Sequence, residues 1–268
     1  MSDLKLTYFD FHGGRGEPAR LALSMGGVPF EDDRVAFADW PERKGSMPFG
    51  AMPVLVADGK VLAQSNAINR YVAKLTGLYP SDFWQAALCD EAMDAVEDVT
   101  NEIVRTMFMP DEEKKARREA LAEGMIPLYL KRLGQNLTAH GGRYFADDRL
   151  TIADLKVAML IRQLRSGILD HLPTDLPDRV APELVDHFQR VMKDPPSRPT
   201  TPSAAWRSDR QVYGKVLGAT DSARVLSQCP RSVVVVCLTS AVETLSLLEG
   251  LCPVRLCARQ SCCSRSCP

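Results

Sequence analysis

The chain has 268 residues, 45% of them hydrophobic, and a formal net charge of −1. This length and composition are typical of a globular protein with one large domain or two ordinary domains. Residues 1–194 hold 24 basic and 30 acidic side chains, and this mild acidity disfavours a surface that binds nucleic acid. The opening sequence MSDLKLTYFD lacks the basic segment and apolar run of a secretory signal, so we expect a cytoplasmic protein.

Strands and helices are predicted to alternate at the start of the chain. Residues 4–9 form a β-prone run, and Pro18 then opens a helical stretch that Gly26 and Gly27 end. Residues 30–36 can form a second strand, which a long loop follows. The order strand, helix, strand predicts the first half of a small domain that mixes both kinds of element.

A hairpin and a helix are predicted next. Two apolar runs, VLVA and KVLA, flank Asp58 and Gly59, and an Asp-Gly pair between apolar runs is a strong hairpin signal. Ser65 stands where a helix N-cap is expected, and apolar residues then recur at helical spacing until Gly77. We therefore expect a first domain over residues 1–79.

From Asp82 onward the pattern predicts helices alone. An apolar stripe of about seven turns comes first. The next helical stretch is DEEKKARREALAEGMIPLYLKRL, in which Pro127 predicts a kink. Thr151 and Asp154 fit a capping box that starts a third helix, and PELVDHFQRVM predicts a fourth. We predict an all-helical domain over residues 82–194.

The segment 195–268 departs from this pattern. Its most apolar stretch, RSVVVVCLTSAVETLSLLEGLC, contains Glu243 and Glu249, which disfavours a membrane span. Its cysteines lack the paired spacing and the histidines of a zinc site, so we expect no metal. We interpret the segment as an atypical tail, either disordered or derived from an incorrect gene prediction.

Residues 52–68, MPVLVADGKVLAQSNAI, combine features of a peptide-binding site. Ser65 at a helix N-terminus offers a hydroxyl group near the free amides of the first turn, which attract a carboxylate. A cis peptide bond at Pro53 would leave the backbone N–H and C=O of Met52 free to pair with an extended peptide. Each feature alone is often only structural, but together they predict a site that binds a small acidic peptide.

Further motifs occur along the chain: Tyr8, GRGE at 14–17, DWP at 39–41 with Lys44, MPVL at 52–55, Gln64 with Ser65, and Thr151 with Asp154. In this order they resemble the motifs of the cytosolic glutathione transferases, and most closely those of the sigma class. The resemblance implies an α+β protein with a thioredoxin-like N-terminal domain of order β-α-β-α-β-β-α, followed by an all-α helical bundle. It also implies glutathione as cosubstrate and a homodimer.

The resemblance assigns roles to individual residues. Tyr8 would be the catalytic hydroxyl, and Arg15 would line the site beside it. The residues that would bind glutathione are Tyr8, Trp40, Lys44, Met52, Pro53, Gln64 and Ser65. Asp98, on the long helix, would reach the glutathione bound to the partner subunit.

The chemistry of a thiol explains why a phenol is needed. The thiol of glutathione has a pKa near that of free cysteine, about 8.5, so little thiolate exists at neutral pH. A hydrogen bond from the Tyr8 phenol to the sulfur would stabilise the thiolate by roughly 1.5 to 3 kcal/mol, which corresponds to about one to two pKa units. Positive charge on Arg15 would add to this effect.

The function predicted from the sequence is the conjugation of glutathione to small apolar electrophiles. Two alternatives use the same fold: a glutathione-dependent prostaglandin D isomerase, and a non-catalytic structural or ligand-carrier protein. A thiol–disulfide enzyme is disfavoured because no cysteine lies near the first helix. We expect neither nucleic acid nor a membrane as a partner.

Overall fold

The computed structural model describes residues 3–193, in which four strands and nine α-helices occur. The strands are β1 (Leu4–Phe9), β2 (Glu31–Val35), β3 (Val54–Ala57) and β4 (Lys60–Ala63). Three helices accompany the strands: α1 (Glu17–Met25), α2 (Trp40–Lys44) and α3 (Ser65–Leu75). The helices that follow are α4 (Phe83–Arg105), α5 (Asp111–Glu123), α6 (Met125–Ala139), α7 (Ile152–Arg165), α8 (Leu176–Val180) and α9 (Pro182–Lys193). The interpretation of residues 195–268 as a tail falls outside the described residues.

The four strands form one mixed sheet in the order β2-β1-β3-β4. Strand β1 is parallel to β2, with Tyr8 opposite Arg34, and antiparallel to β3, with Thr7 opposite Val54. The predicted hairpin is confirmed, because Asp58 and Gly59 join β3 to β4 with φ angles of 48° and 76°. Positive φ at both turn residues matches the twist of the flanking strands. The sequence of elements from β1 to α3 confirms the predicted thioredoxin-like order.

Helices α4 to α9 confirm the predicted helical part of an α+β protein. The predicted kink at Pro127 is wrong, because the break falls at Gly124, where φ is −112° and ψ is −91°. Pro127 lies in the first turn of α6, where a missing backbone N–H removes no helical hydrogen bond. The short helix α8 is an addition that the sequence pattern does not predict.

Helix α7 lies at the centre of the helical part, and all of its residues from Ile152 to Ile161 are buried. It contacts α1 and α3 on one side and α4 and α9 on others. The predicted capping box is confirmed, since the Thr151 N–H donates to Asp154 Oδ2 at 2.7 Å. Within residues 3–193 no helix is long and apolar enough to cross a membrane. The same residues contain no group of three His, Cys, Asp or Glu side chains placed to hold a metal ion.

Candidate active site

Tyr8 lies near the end of β1 with its phenol buried, since only 6% of the residue is exposed. The backbone N–H of Arg15 donates to Tyr8 Oη at 3.0 Å. Because the oxygen accepts this bond, the phenolic hydrogen is directed elsewhere and can be donated to a ligand. Burial raises the pKa of Tyr8, although the Arg15 N–H and the nearby arginine charges oppose this effect. The phenol therefore stays protonated and can act as a hydrogen-bond donor.

Two glycines let the loop before α1 approach the phenol closely. A Cβ atom on Gly14 would lie 2.5 Å from Tyr8 Oη, and a Cβ atom on Gly16 would lie 2.5 Å from Cγ of the ring. Gly14 also has a φ of +64°, a conformation that other residues rarely adopt. The loop therefore fits around Tyr8 only because both positions lack a side chain.

Arg20 also holds the segment that follows Tyr8, and it is a residue that sequence reasoning missed. Its guanidinium group donates to the carbonyl oxygens of Phe9 at 3.2 Å and Phe11 at 3.1 Å, and to Asp32 Oδ1 at 2.7 Å. The guanidinium carbon also lies 5.6 Å from the centroid of the Tyr8 ring. Arg20 thus links the segment that follows Tyr8 to strand β2.

The side chain of Arg15 points to α4. Its Nε donates to Glu97 Oε1 at 2.5 Å, and its Nη2 donates to Asn101 Oδ1 at 2.7 Å. Sequence reasoning expects the charge of Arg15 to favour a thiolate beside Tyr8. In the structure the carboxylate of Glu97 balances that charge, and it is the backbone N–H of Arg15 that contacts the phenol.

Gln64 and Ser65 stand at the start of α3, with one correction to the prediction. The helix begins at Ser65, so Gln64 occupies the N-cap position that Ser65 was expected to hold. Gln64 is exposed and has a φ of 72°, which is strained for a residue with a side chain. Ser65 is buried and its Oγ donates to Glu97 Oε2 at 3.0 Å. The first-turn amides of α3 have no acceptor within the helix and remain suited to a carboxylate.

Met52 lies beside Tyr8 in a small buried cluster that also includes Val35. The bond between Met52 and Pro53 is cis, as the sequence suggests for a proline before a strand. Within residues 3–193, the backbone N–H and C=O of Met52 make no hydrogen bond. They are therefore available to an extended peptide beside the phenol.

Trp40 and Lys44 lie on α2, at its first and last residues. The half-buried ring of Trp40 packs against the cluster around Tyr8 and meets Phe9 edge to face, with 5.4 Å between ring centroids. Lys44 is half-buried and runs past Gly50, where an added Cβ atom would lie 3.5 Å from Lys44 Cε. The structure thus brings Trp40 to the Tyr8 cluster and Lys44 to the loop that precedes Met52.

Asp98 lies apart from the residues around Tyr8, in a cleft of the helical part. Its Oδ2 accepts a hydrogen bond of 3.2 Å from the hydroxyl of Tyr129, and it lines a cleft of about 540 Å³ between α4, α5 and α6. Asn101 also lines this cleft, and its Oδ1 accepts the hydrogen bond from Arg15 Nη2. Asp98 has no contact with the residues around Tyr8 in the described part of the chain.

Glu97 and Lys156 are site residues that sequence reasoning missed. Glu97 Oε2 accepts from Lys156 Nζ at 2.7 Å, while Oε1 accepts from Arg15. Burial alone would raise the pKa of Glu97, but the charges and hydrogen bonds of Lys156 and Arg15 prevail and lower it to about 2. The available signal is Lys156 itself, because a lysine within the apolar run 155–161 needs a buried partner.

Two family models match this chain. The glutathione S-transferase N-terminal domain matches residues 4–74, and the glutathione S-transferase C-terminal domain matches residues 97–196. A probable glutathione S-transferase 7 of Caenorhabditis elegans is 34% identical over 209 residues, which are 75% of this chain and 100% of that protein.

Two solved structures are also similar. The prostaglandin synthase D of Nilaparvata lugens has a TM-score of 0.58 and 32% identity, over 73% of this chain and 100% of that one. A sigma class enzyme of Fasciola hepatica has a TM-score of 0.60 and 27% identity, over 74% of this chain and 99% of that one. The chain therefore belongs to the glutathione S-transferase family, whose cosubstrate is glutathione.

Proposed function

We propose that this glutathione transferase is sigma-like and conjugates the glutathione thiolate to small hydrophobic electrophiles. The observation that carries the proposal is the buried phenol of Tyr8, whose oxygen accepts the Arg15 N–H and whose hydrogen remains available. The similarity to the sigma class enzyme of Fasciola hepatica supports the class.

The proposed mechanism begins with glutathione lying along the edge of the sheet. Met52 pairs with its backbone, and the first turn of α3, with Gln64 and Ser65, takes the γ-glutamyl carboxylate. Trp40 and Lys44 take the opposite, glycine end. Tyr8 then donates its phenolic hydrogen to the sulfur, so the thiol loses its proton more easily and the thiolate attacks the electrophile.

The variant Tyr8→Phe tests this proposal. It removes one hydrogen bond to a charged sulfur, so we expect the pKa of bound glutathione to rise by about one to two units. The value of kcat/KM for chlorodinitrobenzene at neutral pH should fall about 10- to 100-fold. Tyr79→Phe is the matched control, because Tyr79 donates to Asp90 and lies outside the proposed site. A Tyr8→Phe variant that conjugates as fast as Tyr79→Phe would show that Tyr8 does not supply the catalytic hydroxyl.

Prostaglandin D isomerisation is a second candidate, supported by the similarity to the prostaglandin synthase of Nilaparvata lugens. Both reactions would use the same thiolate and differ in the electrophile. Incubation with the prostaglandin endoperoxide and analysis of the products separates them. Prostaglandin D as the main product would favour the isomerase.

We also propose a cytoplasmic homodimer in which Asp98 approaches the glutathione of the partner subunit. Its place in the cleft beside Asn101, rather than at Tyr8, supports a role outside its own site. Light scattering gives the oligomeric state, and Asp98→Ala should raise the KM for glutathione. The proposed domain boundaries remain residues 1–79 and 82–194.

A further inference from the structure

Lys156 is a buried cation that the proposed mechanism does not use. It lies on α7 with 3% of its surface exposed, and its Nζ donates to Glu97 Oε2 at 2.7 Å and also to Asn66 Oδ1. Burial lowers the pKa of Lys156, and Glu97 opposes this effect. A lysine at this depth is strongly destabilising unless an opposite charge accompanies it. Lys156 and Glu97 are therefore held together as a pair.

Glu97 connects this lysine to two segments of the glutathione site. Its Oε1 accepts from Arg15 Nε at 2.5 Å, and its Oε2 accepts from Ser65 Oγ at 3.0 Å. The backbone N–H of Arg15 in turn donates to the Tyr8 phenol, and Asn66 follows Ser65 in the first turn of α3. One carboxylate therefore contacts both the loop that orients the phenol and the helix that receives the ligand carboxylate.

We propose that Lys156 is a positioning residue, which fixes Glu97 and Asn66 so that the Arg15 loop keeps Tyr8 oriented toward the glutathione sulfur. This inference rests on the function proposed above. Without Nζ, the only donor to Glu97 Oε2 that remains among residues 3–193 is the Ser65 hydroxyl, which can rotate. The carboxylate then loses its fixed orientation, and Arg15 loses the constraint that places its backbone N–H at the phenol.

A merely structural role for the pair predicts a different outcome. Buried ion pairs add little net stability compared with apolar residues of similar volume, but loss of one partner is destabilising. A structural pair would thus change the free energy of unfolding and leave the ionisation of the bound thiol unchanged. The thiol pKa and the dependence of kcat/KM on pH therefore separate the two roles.

The experiment uses Lys156→Met in the full chain. The pH titration of thiolate absorbance in the glutathione complex gives the thiol pKa, which should rise by roughly half a unit to one unit. The value of kcat/KM at neutral pH should then fall about three- to tenfold, and the loss should disappear at pH values well above the thiol pKa. The charged groups that act on Lys156 are Glu97 and Asp94 from α4 and Arg15 from the loop, and all of them remain in this variant. Lys156→Arg keeps the charge and should restore part of the activity.

Arg118→Met is the matched control. Arg118 is a buried cation on α5 with 3% exposure, and it donates to Thr106 Oγ1 at 2.7 Å and to the Asp170 carbonyl at 2.9 Å. Its loss should reduce stability and leave the thiol pKa unchanged.

The double variant Glu97→Gln with Lys156→Met removes both buried charges and leaves neither unpaired. It can therefore be measured if the single variant fails to fold. It should still raise the thiol pKa, because the Arg15 loop loses the ion pair that holds its backbone N–H at the phenol. A folded single or double variant with the wild-type thiol pKa would overturn the positioning role. If the wild type itself fails to ionise bound glutathione, the proposed function is what fails.

Discussion

Gly14→Ala is the substitution that most directly tests how the loop before α1 holds the Tyr8 hydroxyl. A Cβ atom at this position would lie 2.5 Å from Tyr8 Oη and 2.9 Å from Cζ of Phe11. Gly27 offers a matched control, because its φ of +63° equals that of Gly14 within one degree and nothing lies within 4 Å of its Cβ position. The two variants share the backbone cost and differ in the contact with the phenol.

The magnitudes follow from these geometries. Alanine in the left-handed region costs about 1–2 kcal/mol, so Gly27→Ala should lower the free energy of unfolding by about that amount and Gly14→Ala by at least as much. Ordinary van der Waals contact begins near 3.4 Å, so the Tyr8 hydroxyl or the loop must move by about 1 Å in Gly14→Ala only. A misplacement of about 1 Å in an active site can reduce the rate about 100-fold. We expect kcat/KM to fall about 10- to 100-fold.

The assay pairs urea unfolding with conjugation kinetics on both variants. Gly27→Ala should lose stability and keep the wild-type kcat/KM, whereas Gly14→Ala should lose both. Equal activity of the two folded variants would refute the idea that the loop positions the phenol through close contact.

Three further outcomes follow from buried groups. Asn69 is fully buried and neither polar atom of its amide has a partner among residues 3–193, so Asn69→Leu should raise the free energy of unfolding by about 1–2 kcal/mol, measured by urea titration. Because the pKa of folded Glu97 is lowered to about 2, its stabilisation is complete above about pH 4.5 and is lost as the pH falls toward 2. Glu97→Gln should therefore flatten the dependence of the urea midpoint on pH over that range, and an unchanged slope would contradict the ion pairs of Glu97. Burial raises the pKa of the Cys89 thiol to about 12, so wild type and Cys89→Ser should show equal native reactivity toward a disulfide reagent and differ by one thiol in denaturant.

Local signals predicted much of the fold. The Asp58-Gly59 turn and the capping box of Thr151 and Asp154 depend on neighbours within a few residues, and both occur as expected. The sequence pattern predicts the break at Pro127 rather than at Gly124, because a proline in the first turn of a helix and a proline at a kink look alike in sequence.

Long-range contacts account for what was missed at the candidate site. Lys156 and Glu97 are 59 residues apart, and Arg15 and Glu97 are 82 apart, so no spacing rule connects them. The structure brings Tyr8, Met52 and Trp40 into one cluster, although only Tyr8 lies in a strand. The direction of the Arg15 side chain depends instead on which helix packs against its loop.

The contacts of Glu97 also bear on how such proteins can be recombined. A fragment ending after α3 would keep the sheet, Tyr8 and Ser65 but lack the carboxylate that both Arg15 and Ser65 contact. A chimera that joined this N-terminal part to the helices of another family member would carry that protein's residues at the positions of Glu97 and Lys156. Exchange of the helical half therefore changes the part of the molecule that binds the tripeptide, even where no residue of that part is altered.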